Sequence, residues 1–321
     1  MLVSAVVVNL NQRGALLECV SSLETALAQV DGPTDVTVVD NGSTDGSTEA
    51  LQARHPDARV IENAANLGFP KAAAIGIRAT QGDWVLMLNN DATIEPNGVA
   101  ELLRAVEGRP DVGSVAAQLR FADGSERINS AGFGVDRLGV AYEREVGELP
   151  NPTERQPHEV FGASGGAAIF RRAMLEDVGG VDESFFVYLE DVDLAWRARA
   201  RGWKALYAPL AVAHHHHSLT TGHGSPFKYY HVGLNRVRIL AKNATTRHLL
   251  LYGLPILLYD AAYVLYAFAT DRTLAPLTGR LRGLREWRRY RHRPPETASV
   301  TLEPIRGLRA ALRRRRVWMS R

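Results

Sequence analysis

The chain has 321 residues, 45% of them hydrophobic, with 34 Arg and 4 Lys against 35 acids and one Cys. That length suits two domains, or one large domain with an appendage, and the apolar content excludes a wholly disordered chain. The lone thiol, Cys19, excludes an internal disulfide framework and a Cys-based zinc site, and it points to a reducing compartment. Residues 280–321 hold 14 Arg and 3 Glu, a local +11 inside a net charge of +3, so the rest of the chain is acidic at −8. A mildly acidic body with a basic tail predicts contact with an anionic surface.

The start, Met1 to Asn9, lacks the basic region of a signal peptide, and none is expected. Val3–Asn9 is a β-branched run that reads as a buried strand. Leu16–Val30 reads as a helix and Val36–Asp40 as a second strand, closed by the turn cluster Asn41-Gly42-Ser43-Thr44-Asp45-Gly46. Thr48–Arg54 (helix), Arg59–Glu62 (strand), Lys71–Thr80 (helix) and Trp84–Leu88 (strand) follow. This order predicts a parallel sheet with helices on both faces. Ligands of such sheets bind beyond the carboxyl ends of the strands, which singles out Asn9 and Asn11, Asp40 and Asn41, and Asn89, Asn90 and Asp91.

The middle is less regular. Residues 122–158 carry scattered Gly, Pro and charge and read as a long excursion or flap. Gly162–Gly166 is a glycine-rich turn before the apolar Ala167–Phe170, and without bulky side chains its backbone N–H groups are free to approach a ligand. Glu190-Asp191-Val192-Asp193 opens a helical run to Arg201. Lys204–Val212 reads as a strand, followed by His214–His217. Leu249–Thr270 is a run of 22 residues with one charge, Asp260. Such a run is long enough to cross a bilayer, but Gly253, Pro255 and Asp260 favour helices in the interface, or a shallow hairpin, over a straight span.

Several of these side chains suit chemistry at a diphosphate. Asp91 can reach a divalent cation, and otherwise caps the turn that follows it. Asp40 can accept the imide N–H of a pyrimidine, or hold an Asx turn. Glu190 and Asp191 form an acidic pair at a helix start. Asp193 sits four residues before Arg197 and can pair with it, which leaves one of the first two acids free as a general base. In an extended segment either His215 and His217, or His214 and His216, face a site together; imidazole suits Mn²⁺ more than Mg²⁺.

Taken in order, Val6–Asn11 (VVVNLN), Val38–Gly46 (VVDNGSTDG), Asn66–Phe69 (NLGF), Leu88–Asp91 (LNND) and Gly179–Arg197 (GGVDESFFVYLEDVDLAWR) resemble the family 2 inverting glycosyltransferases. The likeness is to the rhamnosyltransferase-like branch, and His215–Thr220, Ser225–Lys228 and Asn235-Arg236 extend it over residues 3–245. The resemblance implies a GT-A fold: a Rossmann-like nucleotide-binding half plus an acceptor half over 1–245. A helical, membrane-associated extension over 246–321 would follow it. It implies a nucleoside-diphosphate sugar donor (dTDP-rhamnose or a UDP-sugar), a glycan or polyprenyl-linked acceptor, and a divalent cation, Mn²⁺ or Mg²⁺. By position it places Asp40 on the base, Asp91 and His215 at the metal-diphosphate site, and Asp191, with Glu190 as the alternative, as general base. Donor contacts are expected from Val8, Asn9, Asn11, Asp40, Asn66, Gly68, Lys71, Asn90 and Gly165.

Two features depart from the family pattern. The metal motif reads Asn89-Asn90-Asp91, with a single carboxylate. NLGF is followed by Pro70-Lys71-Ala72-Ala73-Ala74, where many members carry Gly and Asn; Lys71 is placed to approach a phosphate instead. The expected reaction is one displacement with inversion, in cell-envelope polysaccharide synthesis, on the inner face of the cell membrane. The alternative is a catalytically silent nucleotide-sugar-binding membrane module. Trp287, Tyr290 and Trp318 among the tail arginines are also compatible with stacking on bases, but the adjacent apolar run favours a membrane surface, and no nucleic-acid partner is expected.

Overall fold

The computed structural model describes residues 1–216, 225–291 and 300–306. The first half alternates as the sequence predicts: β1 (Val3–Asn9), α1 (Arg13–Leu27), β2 (Thr34–Asp40), α2 (Ser47–Arg54), β3 (Arg59–Glu62), α3 (Phe69–Ala79), β4 (Trp84–Leu88). β1 pairs in parallel with β2 and β4, and β2 with β3. Side chains along β1 alternate between two cores. Val3, Ala5 and Val7 pack with Leu16, Val20 and Leu23 of α1. Val6 packs on the opposite face with Ala73 and Ile77 of α3.

Beyond β4 come β5 (Ala92–Ile94), α4 (Gly98–Arg104), β6 (Val112–Phe121), β7 (Ile128–Ser130), β8 (Phe133–Val135), β9 (Ala141–Glu143) and β10 (His158–Val160). These are followed by β11 (Ala167–Arg171), α5 (Arg172–Val178), α6 (Glu190–Ala200) and β12 (Lys204–His215). The sheet runs β10-β12-β6-β11-β4-β1-β2-β3, with β5 on β12 and β7 on β6. The parallel pairing expected of the first hundred residues is present in β1–β4, and the later strands make the whole sheet mixed. The chain enters β11 from the Gly162–Gly166 turn, at the carboxyl end of β4, so β11 must run backwards: Ala167 lies opposite Leu88 and Arg171 opposite Trp84. The presumed flap 122–158 contributes β7 and β10 to the main sheet, and β8 and β9 pair as a separate ribbon. β12 extends three residues past the predicted end, because His214 and His215 pair with Thr93 and Ala92 of β5.

Three helices close the described chain: α7 (Pro226–Asn243), α8 (Thr246–Asp271) and α9 (Ala275–Tyr290). α9 crosses α7 closely; a Cβ on Gly279 would stand 2.1 Å from the Tyr230 carbonyl oxygen, so only glycine permits the approach. α8 is a single helix of 26 residues with Pro255 inside it, neither broken nor folded back. Its polarity is inverted relative to a soluble surface helix. Leu250, Leu254, Leu257, Leu258, Leu265 and Phe268 face outwards, with Leu250 82% and Leu254 69% exposed. Tyr259, Asp260 and Tyr263 of its middle turns face the protein. Asp260 accepts from Arg236 Nε (2.7 Å) and Arg280 Nη2 (2.9 Å). The Arg236 and Arg280 guanidiniums lie over the Tyr259 and Tyr263 rings. Asp260 is thus an anchor to α7 and α9, which removes the objection that it would lie bare in lipid.

Candidate active site

The carboxyl ends of β1, β2 and β4 are tied by one buried amide. Asn9, fully buried, donates Nδ2 to Asp40 Oδ1 (3.0 Å) and Ser43 Oγ (3.1 Å), and accepts from Asn90 Nδ2 (2.9 Å). Asp40 Oδ2 accepts from the Ser43 N–H (2.8 Å), so the Asx-type turn considered from sequence is present. Asn11, at φ 50°, donates its N–H to Ser43 Oγ and accepts from the Thr44 N–H. Val8 is half-buried against the α3-side core.

The NLGF segment is fastened from two sides. Asn66 Oδ1 accepts from the Gly68 N–H and from Asn41 Nδ2, both at 2.9 Å. Asn41 Oδ1 accepts from the Leu67 N–H and Asn63 Nδ2. Asn41 is buried and was noted from sequence only as a strand end; its position after Asp40 and before a glycine was the available signal. Gly68 has φ 85°, and a Cβ there would stand 2.5 Å from the Phe186 carbonyl oxygen, which also accepts from the Phe69 N–H (2.9 Å). That glycine is required by its contact with the 185–189 segment. Lys71 is exposed in the first turn of α3.

Asp91 and His215 meet although 124 residues separate them: His215 Nε2 lies 3.0 Å from Asp91 Oδ1. The β5–β12 pairing brings them together, with the His216 N–H on the Asp91 carbonyl (2.9 Å). Alternation along β12 sends His214 elsewhere, to Glu95 Oε1 (3.1 Å). His217 and residues 218–220 of the extended match lie outside the described residues. The other ring nitrogen of His215, Nδ1, lies 3.0 Å from Oδ1 of Asn129, a buried β7 residue that sequence reasoning did not single out. An amide oxygen there holds a proton on Nδ1, so the Nε2 lone pair faces a carboxylate unless a proton or cation lies between them. One imidazole and one carboxylate converging in this way fit a divalent cation.

Glu190 and Asp191 open α6. Burial, then the Glu143 charge, pushes the Asp191 carboxyl up to about 6, against the hydrogen bond from the Val192 N–H. Burial, then the Asp191 charge, raises Glu190 further. Glu190 Oε2 is buried with no hydrogen-bond partner among the described residues. Burial raises both carboxyls, and their proximity disfavours two negative charges side by side. Glu143 comes from β9, inside the presumed flap, and its approach to Asp191 had no sequence signal. Gly165 sits in the turn before β11, and a Cβ there would meet nothing within 4 Å, so its backbone is open to close approach. The Gly166 carbonyl accepts from the Asn89 N–H (3.0 Å). That bond ties the glycine turn to the strand end carrying Asp91. A second cluster, Glu145, Glu154 and His158, also has ligand-type atoms within 4.8 Å of one another. It lies on the β10 side, apart from the motif residues.

The mixed α/β sheet, with a buried Asn–Asp network and an Asp–His pair beyond its strand ends, has the GT-A-like glycosyltransferase fold. The chain belongs to glycosyl transferase family 2, whose family model matches residues 4–179. It is 34% identical over 213 residues, 59% of this chain and 69% of the relative, to the N-acetylglucosaminyl-diphospho-decaprenol L-rhamnosyltransferase of Mycobacterium tuberculosis. It is thus a rhamnosyltransferase-like family 2 glycosyltransferase that uses a nucleotide sugar. The fold is shared with the mannosyltransferase PcManGT of Pyrobaculum calidifontis, solved with GDP-Man and Mn²⁺. The TM-score is 0.52 at 20% identity, over 99% of this chain and 80% of that one. It is shared also with S. aureus TarS, solved with UDP-GlcNAc, at TM-score 0.55 and 16% identity over 93% of this chain and 83% of that one.

Proposed function

We propose that this enzyme moves a sugar, rhamnose from dTDP-rhamnose or the sugar of a UDP-sugar, onto a glycan or polyprenyl-linked acceptor with inversion of configuration. The observation that supports the reading is the convergence, beyond the strand ends, of Asp40 held by Asn9 and of Asp91 facing His215. Asp40, held by Asn9 and Ser43, keeps acceptor capacity for a pyrimidine imide N–H. Asn11, Asn66, Lys71 and Asn90 lie on the loops and helix start beyond the same strand ends. Asp91 and His215 would hold a Mn²⁺ or Mg²⁺ ion, whose charge would stabilise the departing nucleotide diphosphate. Asp191 removes the proton of the acceptor hydroxyl. Burial and the Asp191 charge disfavour a second negative charge on Glu190 beside it.

Incubation with single nucleotide sugars and lipid-linked acceptors, read by product mass, tests the donor and acceptor. Product without net inversion, or no turnover with any donor, overturns the reading; the second outcome favours a silent binding module. Activity is expected to disappear in excess chelator and return with Mn²⁺ or Mg²⁺. Asp91→Ala should lower transfer by about 10²-fold or more, since it removes the only carboxylate of the motif. Full activity in chelator excludes the metal role.

The site is proposed to work at the inner face of a membrane, with residues 246–321 as the attachment. The supporting feature is the inverted polarity of α8. An outward face of leucine and phenylalanine is a poor solvent surface and a good lipid surface. Asp260 and the tyrosines are engaged by α7 and α9, so α8 would be embedded along one side and would not cross the bilayer alone. α9 adds exposed Leu277, Leu281 and Leu284 beside Arg282, Arg285, Arg288 and Arg289. Each basic residue near an anionic leaflet contributes about 1 kcal/mol. Full-length protein is expected to float with phosphatidylglycerol vesicles, less so in high salt. Returning a leucine side chain to water costs about 1.5–3 kcal/mol, so combined Leu250→Gln, Leu254→Gln and Leu258→Gln should weaken partition by about 10³-fold. A monodisperse, detergent-free protein that ignores vesicles refutes the attachment; a discrete dimer lost in the triple variant would assign the face to a second copy.

A further inference from the structure

Two consecutive residues, Tyr188 (φ 70°) and Leu189 (φ 67°), have left-handed backbone immediately before Glu190 and Asp191. Side-chain-bearing L-residues visit that region singly and at a cost, because Cβ crowds the following carbonyl. Such conformations persist only where the surroundings over-determine them. Leu189 is the residue that enters α6, and its carbonyl accepts from the Asp193 N–H (3.1 Å). The pair therefore sets the direction in which Glu190 and Asp191 leave the chain.

One buried side chain holds the pair in place. Asn235 on α7, fully buried, donates Nδ2 to the carbonyls of Val187 and Tyr188, both at 2.9 Å. Its Oδ1 accepts from Arg238 Nη1 (3.3 Å), which orients the amide with its N–H groups towards the turn. Two successive carbonyls of an irregular segment are thus satisfied by one carboxamide. From the opposite side the Phe69 N–H holds the Phe186 carbonyl. The 186–189 turn is pinned between the NLGF segment and α7.

We propose that Asn235 is a positioning residue for transfer: it clamps the left-handed Tyr188–Leu189 pair and so aims the Asp191 carboxylate at the acceptor. The inference rests on Asp191 as the base. Misplacement of a reacting group by about 1 Å costs about 10²-fold. Asn235→Ala in the full-length enzyme should therefore lower kcat by that order while donor affinity stays unchanged. Asn235→Ser keeps one donor and should fall between the two, and it serves as the test if the alanine variant does not fold. Leu189→Gly removes the steric penalty of the left-handed conformation. Added to Asn235→Ala it should recover part of kcat, even though it lowers Tm through lost packing. A merely structural role predicts the opposite: a double variant that melts lower than either single one and turns over no faster. Absence of rescue, or loss of donor affinity in step with kcat, overturns the clamp. Failure of the base assignment reads differently, as turnover surviving in Asp191→Asn.

Discussion

Asp191→Asn is expected to lower transfer by about 10²–10⁴-fold while donor binding survives. Asn preserves the shape and the hydrogen bond from the Val192 N–H, but loses the basicity. The pH profile gives an independent readout. Burial and Glu143 raise the Asp191 carboxyl to about 6, so the base is protonated below that pH and ionised above it. The kcat/KM of the wild-type enzyme should rise with pH through about 6 and then level. The Asn variant should lose that limb. Near-normal turnover in Asp191→Asn, with Glu190→Gln inactive, would move the role to Glu190.

Asp193→Ala should cost stability where Asp191→Asn does not. Asp193 is fully buried, two residues beyond the proposed base. Its Oδ2 accepts from Arg197 Nε and Lys242 Nζ, each at 2.8 Å, and its Oδ1 from Asn243 Nδ2 at 3.0 Å. Lys242 also pairs with Asp182. Burial works against the Asp182 charge, but the Lys242 ammonium outweighs it and holds that carboxyl at about 2. Removing Asp193 leaves two cations without their buried partner. Breaking such a pair costs about 3–5 kcal/mol, which for a chain of this size lowers Tm by roughly 4–7 °C. Thermal melts at neutral pH measure it; a change of only a degree or two would show that Asp182 alone satisfies Lys242. The Asp182 contribution is present above its unfolded pKa near 4 and is lost as pH falls towards 2, so the Tm gap between Asp193→Ala and wild type should be read above pH 5.

Reading from sequence reached the local structure where pattern and position share one cause. Asn9, Asp40 and Asn90 could be picked because each ends a run of buried strand residues, and polar groups at that edge face the ligand crevice. Asp193 could be paired with Arg197 because four residues make one helical turn. It failed where a residue acts across the sheet. Asn129 supports His215 from β7, Glu143 raises Asp191 from β9, and Asn235 holds the Tyr188–Leu189 turn from α7. None of these lies in a distinctive local pattern that assigns it a partner.

The sequence by itself determined the strand–helix alternation of the first ninety residues, the polar strand ends, the acidic start of α6 and the apolar run of α8. All of these follow from periodicity and from chemistry within a few positions. Only the tertiary structure decided that β11 runs backwards between β4 and β6, that Asn129 backs the His215 facing Asp91, and that Asp260 turns inwards to Arg236 and Arg280. Each of those outcomes depends on long-range register. A one-residue slip in β12 would exchange His215 for His214, and a rotation of α8 by half a turn would expose its carboxylate and bury its leucines. Local periods give the faces of an element, whereas the partner presented to each face is set by the packing of segments more than a hundred residues apart.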